Sequence, residues 1–136
     1  MRKASALLIL ILLFASCREE IIAPGNFAGN INEPIQLNNR NSFTFLINAD
    51  NFSMNTSVPA SFNTSASRIS ITLLDRESGF VFVGVRDSEN AERYRHTISS
   101  DTNNFTEVID GFIPKTIQIR TQTLSGKLKI QLTNAF

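Results

Sequence analysis

After residue 42 the chain alternates apolar and polar positions. Phe43, Phe45 and Ile47 are separated by Thr44, Leu46 and Asn48, the period of two that a half-buried strand requires. Asp50 and Asn51 interrupt the run, and Phe52 and Met54 resume it past an expected bulge. Residues 68–75 repeat the pattern, with Ile69, Ile71 and Leu73 set against Ser70, Thr72 and Leu74. Arg-Glu-Ser-Gly at 76–79 reads as a turn that would place Leu73 opposite Phe82 and Ile71 opposite Gly84. Residues 80–86, FVFVGVR, are apolar on both faces. They predict a central strand covered on both sides, with Gly84 marking a bulge or a close backbone approach. Residues 93–99 put Tyr94, His96 and Ile98 on one face and Arg93, Arg95 and Thr97 on the other. Shorter strands are predicted at 105–109 and around Ile35 and Leu37.

The clearest signal is a C-terminal hairpin. Residues 116–124 and 127–133 flank Ser125-Gly126, and the glycine suits a two-residue turn. Such a turn pairs Leu124 with Lys127, Thr121 with Ile130 and Ile119 with Leu132. The stretch 55–67 reads as a long loop with apolar plugs at Val58 and Phe62, and 87–92 as an acidic loop. No segment holds a helical period after the N-terminal leader. The pattern therefore predicts an all-β domain over 42–136, a single antiparallel β-sandwich of about seven or eight strands.

The first residues break with this pattern. Residues 1–17, MRKASALLILILLFASC, pass from basic (Arg2, Lys3) through an unbroken apolar run to Ala15, Ser16 and Cys17, the order of a secretory signal. As a helix, residues 4–15 would span roughly 18 Å, short of the ~30 Å hydrocarbon core, so a permanent membrane span is the weaker reading. Phe14-Ala15-Ser16-Cys17 resembles the lipobox of bacterial lipoproteins: an apolar residue, two small ones, then cysteine. Phe14 stands where leucine is usual. The resemblance implies cleavage before Cys17 and a diacylglycerol thioether on it. Residues 1–16 are then a signal peptide, and 17–41 a lipidated cysteine followed by a flexible linker with Pro24, Gly25, Gly29, Pro34 and six asparagines. One acyl chain anchors only marginally, whereas the two or three of a lipoprotein anchor stably. Alkylation also accounts for a lone cysteine in an exported chain. Arg18, Glu19 and Glu20 resemble the charged tag behind the cysteine that many Bacteroidota lipoproteins use to reach the cell surface. The expected location is the cell envelope, at the outer membrane, with the membrane itself as a partner.

Composition narrows the partners. Arg2 and Lys3 leave with the signal, so eleven basic residues face twelve acidic ones. A near-neutral surface gives no electrostatic reason to expect nucleic acid. The chain has no tryptophan and one cysteine, so an apolar core must supply the stability. The order of strands and turns over 42–134 resembles pre-peptidase C-terminal-type and related jelly-roll or immunoglobulin-like sandwiches of exported bacterial proteins. That likeness concerns fold alone and has no diagnostic motif.

Chemistry is sparse. His96 is the single histidine and Cys17 the single cysteine, too few ligands for a transition-metal site. No Gly-x-Ser-x-Gly elbow or glycine-rich phosphate loop occurs. The expectation is no catalytic residue, no metal and no cofactor. Asp87, Glu89 and Glu92 lack the alternating ligands and turning glycine of a calcium loop. Arg86, Arg93, Arg95 and Arg120 are either a basic patch or outward strand positions paired with acids. Asp87, Glu89, Tyr94 and His96 are the candidate binding residues, in or beside the 87–92 loop.

These features are expected of a non-enzymatic structural or protein-interaction module of the envelope. The alternative is a glycan or small-ligand binding module using 55–67 and 87–92 as contact loops. A hydrolase or accessory domain is a third reading. A long unprotected edge strand favours the first, exposed phenylalanines beside Asn and Asp on one rim the second, and a cleft converging on His96 and a carboxylate the third.

Overall fold

A computed structural model describes residues 29–136. The leader, Cys17 and the start of the linker lie outside the described residues. The architecture is all-β and antiparallel. Its strands are β1 (Ile35–Asn39), β2 (Ser42–Pro59), β3 (Ser67–Arg86), β4 (Glu92–Ile98), β5 (Thr102–Ile109) and β6 (Thr116–Asn134). The order across the sheet is β1-β2-β6-β3-β4, with β5 also paired to β3.

Three strands are very long: 18 residues in β2, 20 in β3 and 19 in β6. At about 3.3 Å per residue a straight 20-residue strand would reach roughly 66 Å, far beyond the size of a domain of this length. Each therefore bends. Residues 42–49 of β2 pair with 126–133 of β6, and 54–59 pair with 116–121. Residues 67–74 of β3 pair with 127–134, and 80–86 pair with 116–122. One layer is thus β1, 42–49, 126–134, 67–74 and β5. The other is 52–59, 116–124, 78–86 and β4. Among the described residues the strands number six rather than the expected seven or eight because three of them serve both layers.

This overturns both predicted hairpins. Ser125-Gly126 is a corner within one continuous strand. Ile130 pairs with Phe45 and Ile71, and Ile119 with Thr56 and Val83. Likewise 76–79 is the corner of β3: Ile71 pairs with Ile130 and Phe105, and Gly84 with Gln118 and Arg95. The predicted loop at 55–67 shrinks, since β2 runs on to Pro59.

The corners are built from backbone. Asn51 in β2, Asp75 and Gly79 in β3, and Thr123 in β6 all have positive φ, at 48°, 52°, 79° and 46°. Each such residue kinks its strand. In β2 and β6 the kink shifts the side-chain alternation, whereas in β3, which has two such residues, the inward positions keep one phase from Ile69 to Val85. In β2 the inward positions change from Phe43, Phe45, Ile47 and Ala49 to Phe52, Met54, Thr56 and Val58; in β6 they change from Ile117, Ile119 and Thr121 to Leu124 and Leu128. Ladder bonds lost at the bend are replaced by hydroxyls. The Asn51 amide donates to Ser125 Oγ at 2.9 Å and the Thr123 amide to Ser53 Oγ at 2.8 Å. Ser78 Oγ donates to the Thr123 carbonyl at 2.8 Å. Thr121 Oγ1 accepts from the Met54 amide at 3.1 Å and donates to the Phe52 carbonyl at 3.2 Å. Backbone groups are costly to leave unpaired where water is partly excluded, as at Met54 and Phe52. Thr121 above all therefore holds the bend closed, and the serines, whose bonds are exposed, add to it.

Between the layers lies one core. Phe43, Phe45, Ile47, Ile69, Ile71, Leu73, Leu128, Ile130 and Leu132 come from the first layer; Val81, Val83, Val85, Ile117, Ile119 and Leu124 from the second. The 80–86 segment is central, yet among the described residues no third layer covers its outer face. There the Phe82 ring lies against Gly84, where an added Cβ would meet it at 3.2 Å. The Arg120 guanidinium sits 5.0 Å from the centroid of the Phe82 ring, a cation–π contact that caps an apolar outward residue.

Candidate functional site

The four sequence-derived site residues fall on one rim, at the end of β3 and along β4, but they do not form a binding cleft. Asp87 is buried and holds its own loop. Its Oδ1 accepts from the Glu89 amide at 2.9 Å and the Ala91 amide at 3.0 Å, and its Oδ2 accepts from Arg93 Nε at 2.6 Å. The Arg93 hydrogen bond holds the Asp87 carboxyl below the usual carboxylate range, helped by the two amides and opposed by burial. With its lone pairs turned to the chain's own donors, Asp87 organises the turn between β3 and β4 in the manner of an Asx-turn. Glu89 projects from that turn and is exposed.

Tyr94 and His96 point from β4 towards β5. The His96 ring stacks on Phe105 with centroids 4.2 Å apart and planes 12° from parallel. Tyr94 lies beside Glu107, its hydroxyl oxygen buried without a well-aligned hydrogen-bond partner. Burial pushes its phenol well above the ordinary value, and the Glu107 carboxylate adds to the effect. No ladder joins β4 to β5, so these four side chains close the seam between the two layers. His96 is a packing residue of that seam. Among the described residues no three His, Cys, Asp or Glu side chains converge as metal ligands.

The four arginines do not pool into a patch. Arg93 binds Asp87, Arg95 pairs with Glu92, Arg120 caps Phe82, and Arg86 reaches Asn90 and Gln118. Phe82, already covered on its outer side, offers no free ring for stacking a sugar.

Two surface features were not visible in the sequence because they depend on how the strands are ordered. The first is an open groove of about 390 Å³ on the outside of the corners, lined by Ile31, Asn48, Asp50, Asp75, Glu77, Ser125 and Lys127 among others. Its charges are partly spent, since Lys127 Nζ donates to Asp75 Oδ2 at 2.9 Å. The second is the open edge of the second layer. Among the described residues, 52–58 of β2 pair with β6 on one side and with nothing on the other. The Met54 amide and Phe52 carbonyl face β6, so alternation turns the backbone groups of Asn55 and Ser57 to the open side. Pro59, which has no N–H to offer, follows in the same phase. Residues 52–58 carry no charge. The other edges are guarded: β4 by Glu92, Arg93 and Arg95, β5 by Glu107 and a register shift at Asn104, β1 by its length of five residues. A neutral run with free ladder groups is a site where another strand can add.

Comparison with known protein families and with curated proteins found no match.

Proposed function

We propose that this chain is a lipid-anchored protein of the cell envelope whose β-sandwich is a non-enzymatic interaction module. The edge at 52–58 is its contact element, receiving an extended segment of a partner protein as an added strand. The observation that carries this reading is the contrast among the edges of the described residues: that at 52–58 is uncharged and open, while the others are short or carry charged side chains. The closed seam around His96 and the capped ring of Phe82 give the hydrolase and glycan readings little support. The location rests on the basic, apolar and small-residue order of 1–16 and on Cys17 at its end. An outer-membrane site follows from the likeness of residues 14–20 to exported lipoproteins.

The test is a pull-down from envelope extracts with the full chain, run beside Cys17→Ser and Ser57→Pro. Cys17→Ser should leave the membrane fraction. Ser57→Pro should stay in that fraction and lose the partner, because it removes an outward N–H without touching the β2–β6 ladder. A free thiol on the mature protein, or a partner retained by Ser57→Pro, would refute the anchor or the edge respectively.

A further inference from the structure

The outer face of β1 inverts the pattern of the sheet. Across β2, Phe43, Phe45 and Ile47 face the core while Thr44, Leu46 and Asn48 face out. Directly paired residues of an antiparallel ladder point to the same side. Ile35 pairs with Leu46 and Leu37 with Thr44, whereas Gln36 and Asn38 pair with the core residues Phe45 and Phe43. The apolar side chains of β1 therefore face away from the core. Ile35 is 40% exposed and Leu37 54%, and Ile31, bridged to outward Asn48, is 62% exposed. With Leu46 they form one apolar strip on the outer face of the first layer. The polar side of β1 is committed elsewhere, since Asn38 donates to the Pro59 carbonyl in the other layer.

We infer that this strip seats the domain on the lipid bilayer that holds Cys17. The inference rests on the anchor in the proposed function. Three observations select a lipid surface as the occupant. Ile31 lies fourteen residues after Cys17, so this strip is the first part of the described sheet that the chain leading from the anchor enters. The ionisable residues flanking it are Glu33, Asp50, Asp75 and Glu77 against Arg40, Lys127 and Lys129, with Asp75 and Lys127 paired. This set, within one charge of balance, suits zwitterionic headgroups rather than a strongly charged partner. The apolar residues also lie side by side along one edge of the outer face of the first layer, with polar residues around them, the segregation by which an amphipathic surface settles into a headgroup boundary. Seated this way, the first layer faces the membrane and the second layer, with the edge at 52–58, faces away.

The test uses the full lipidated chain in vesicles of phosphatidylcholine and phosphatidylethanolamine carrying doxyl-labelled lipid. With Cys17 acylated, one added cysteine takes a fluorophore uniquely. A label at Leu37→Cys should be quenched several-fold more than one at Gln122→Cys, which is exposed on the outer face of the second layer. Adding Ile31→Ser and Ile35→Ser should abolish that difference while the protein still floats with the vesicles. Salt at 1 M should not change it. Flotation with equal quenching at both positions overturns the seating and leaves the anchor standing. Energy transfer between Leu37 labels on separate molecules overturns it in favour of self-association. Loss of flotation overturns the anchor and the seating together.

Discussion

Gly79 is set so tightly against Gln122 that an added Cβ would lie 2.4 Å from the Gln122 carbonyl oxygen. The same Cβ would meet the Thr123 carbonyl at 2.5 Å, and φ is +79°. The corners of β3 and β6 nest at this point. Gly79→Ala is therefore expected to destabilise the domain by about 2–4 kcal/mol, combining a left-handed backbone with a clash against backbone. Gly111 supplies the contrast. Its φ is +89° but nothing lies within 4 Å, so Gly111→Ala should cost only about 1 kcal/mol. Urea unfolding midpoints of the two variants distinguish the effects.

Thr123 carries strain of the opposite kind. It is exposed and sits at φ 46°, where a β-branched side chain is rare. Asparagine adopts this region with less cost. Thr123→Asn should raise stability by about 0.5–1 kcal/mol, because the amide and carbonyl that bond Ser53 and Ser78 are backbone groups and remain. A lower urea midpoint in the variant would show that the Thr123 hydroxyl, bonded to the Gln122 carbonyl, outweighs the strain.

The strands were legible in the sequence because burial imposes a period of two, and that period survives wherever a strand is straight. Phe43 to Ile47 and Ile69 to Leu73 were read correctly for this reason. The corners were not. Ser125-Gly126 between two alternating runs has the composition of a hairpin turn, and local composition does not reveal whether a chain reverses or bends. The distinguishing mark was the step of three from Thr121 to Leu124, one residue more than the alternation allows, which signals an inserted residue inside one strand. At the rim, Asp87 looked like a ligand because a sequence does not show which donors surround a carboxylate. The open edge was invisible for a deeper reason: that 52–58 is an edge follows from strand order, which non-local pairing decides.

Asp87 makes the stability depend on acid. Its folded pKa lies below the ordinary 3.8, so its contribution is present above the unfolded value and is lost as pH falls through the folded one. The protein should lose stability below about pH 4, and Asp87→Asn should be less stable at neutral pH with a flatter acid limb. Unfolding midpoints between pH 2 and 6 check both. Parallel curves for the two proteins would mean that other carboxylates set the acid limb.

Tyr94 is the only tyrosine in a chain without tryptophan, so phenolate absorbance reports it alone. Burial and Glu107 raise its folded pKa above the ordinary 10.0. Its proton is held in the folded state, so its contribution is intact below pH 10 and fades as pH rises from there towards the folded value. Alkaline titration should give a midpoint above 10 in native protein and near 10 in urea, with Glu107→Gln lowering the native value part of the way. A native midpoint near 10 would mean that the seam between β4 and β5 admits water.

Adjacent residues of the open edge should respond oppositely to proline. Thr56 lies in phase with Met54, whose amide faces β6, so Thr56→Pro removes a group from the β2–β6 ladder and should cost about 3 kcal/mol or more. Ser57 lies in phase with Pro59, a position where the chain already tolerates the loss of an N–H. Ser57→Pro should therefore change the urea midpoint little. Hydrogen exchange gives the same contrast without a substitution: the Asn55 and Ser57 amides should exchange fast in the isolated protein and the Thr56 and Val58 amides slowly. Slow exchange at all four positions would mean that the edge is already covered, and the proposed contact element would have to lie elsewhere.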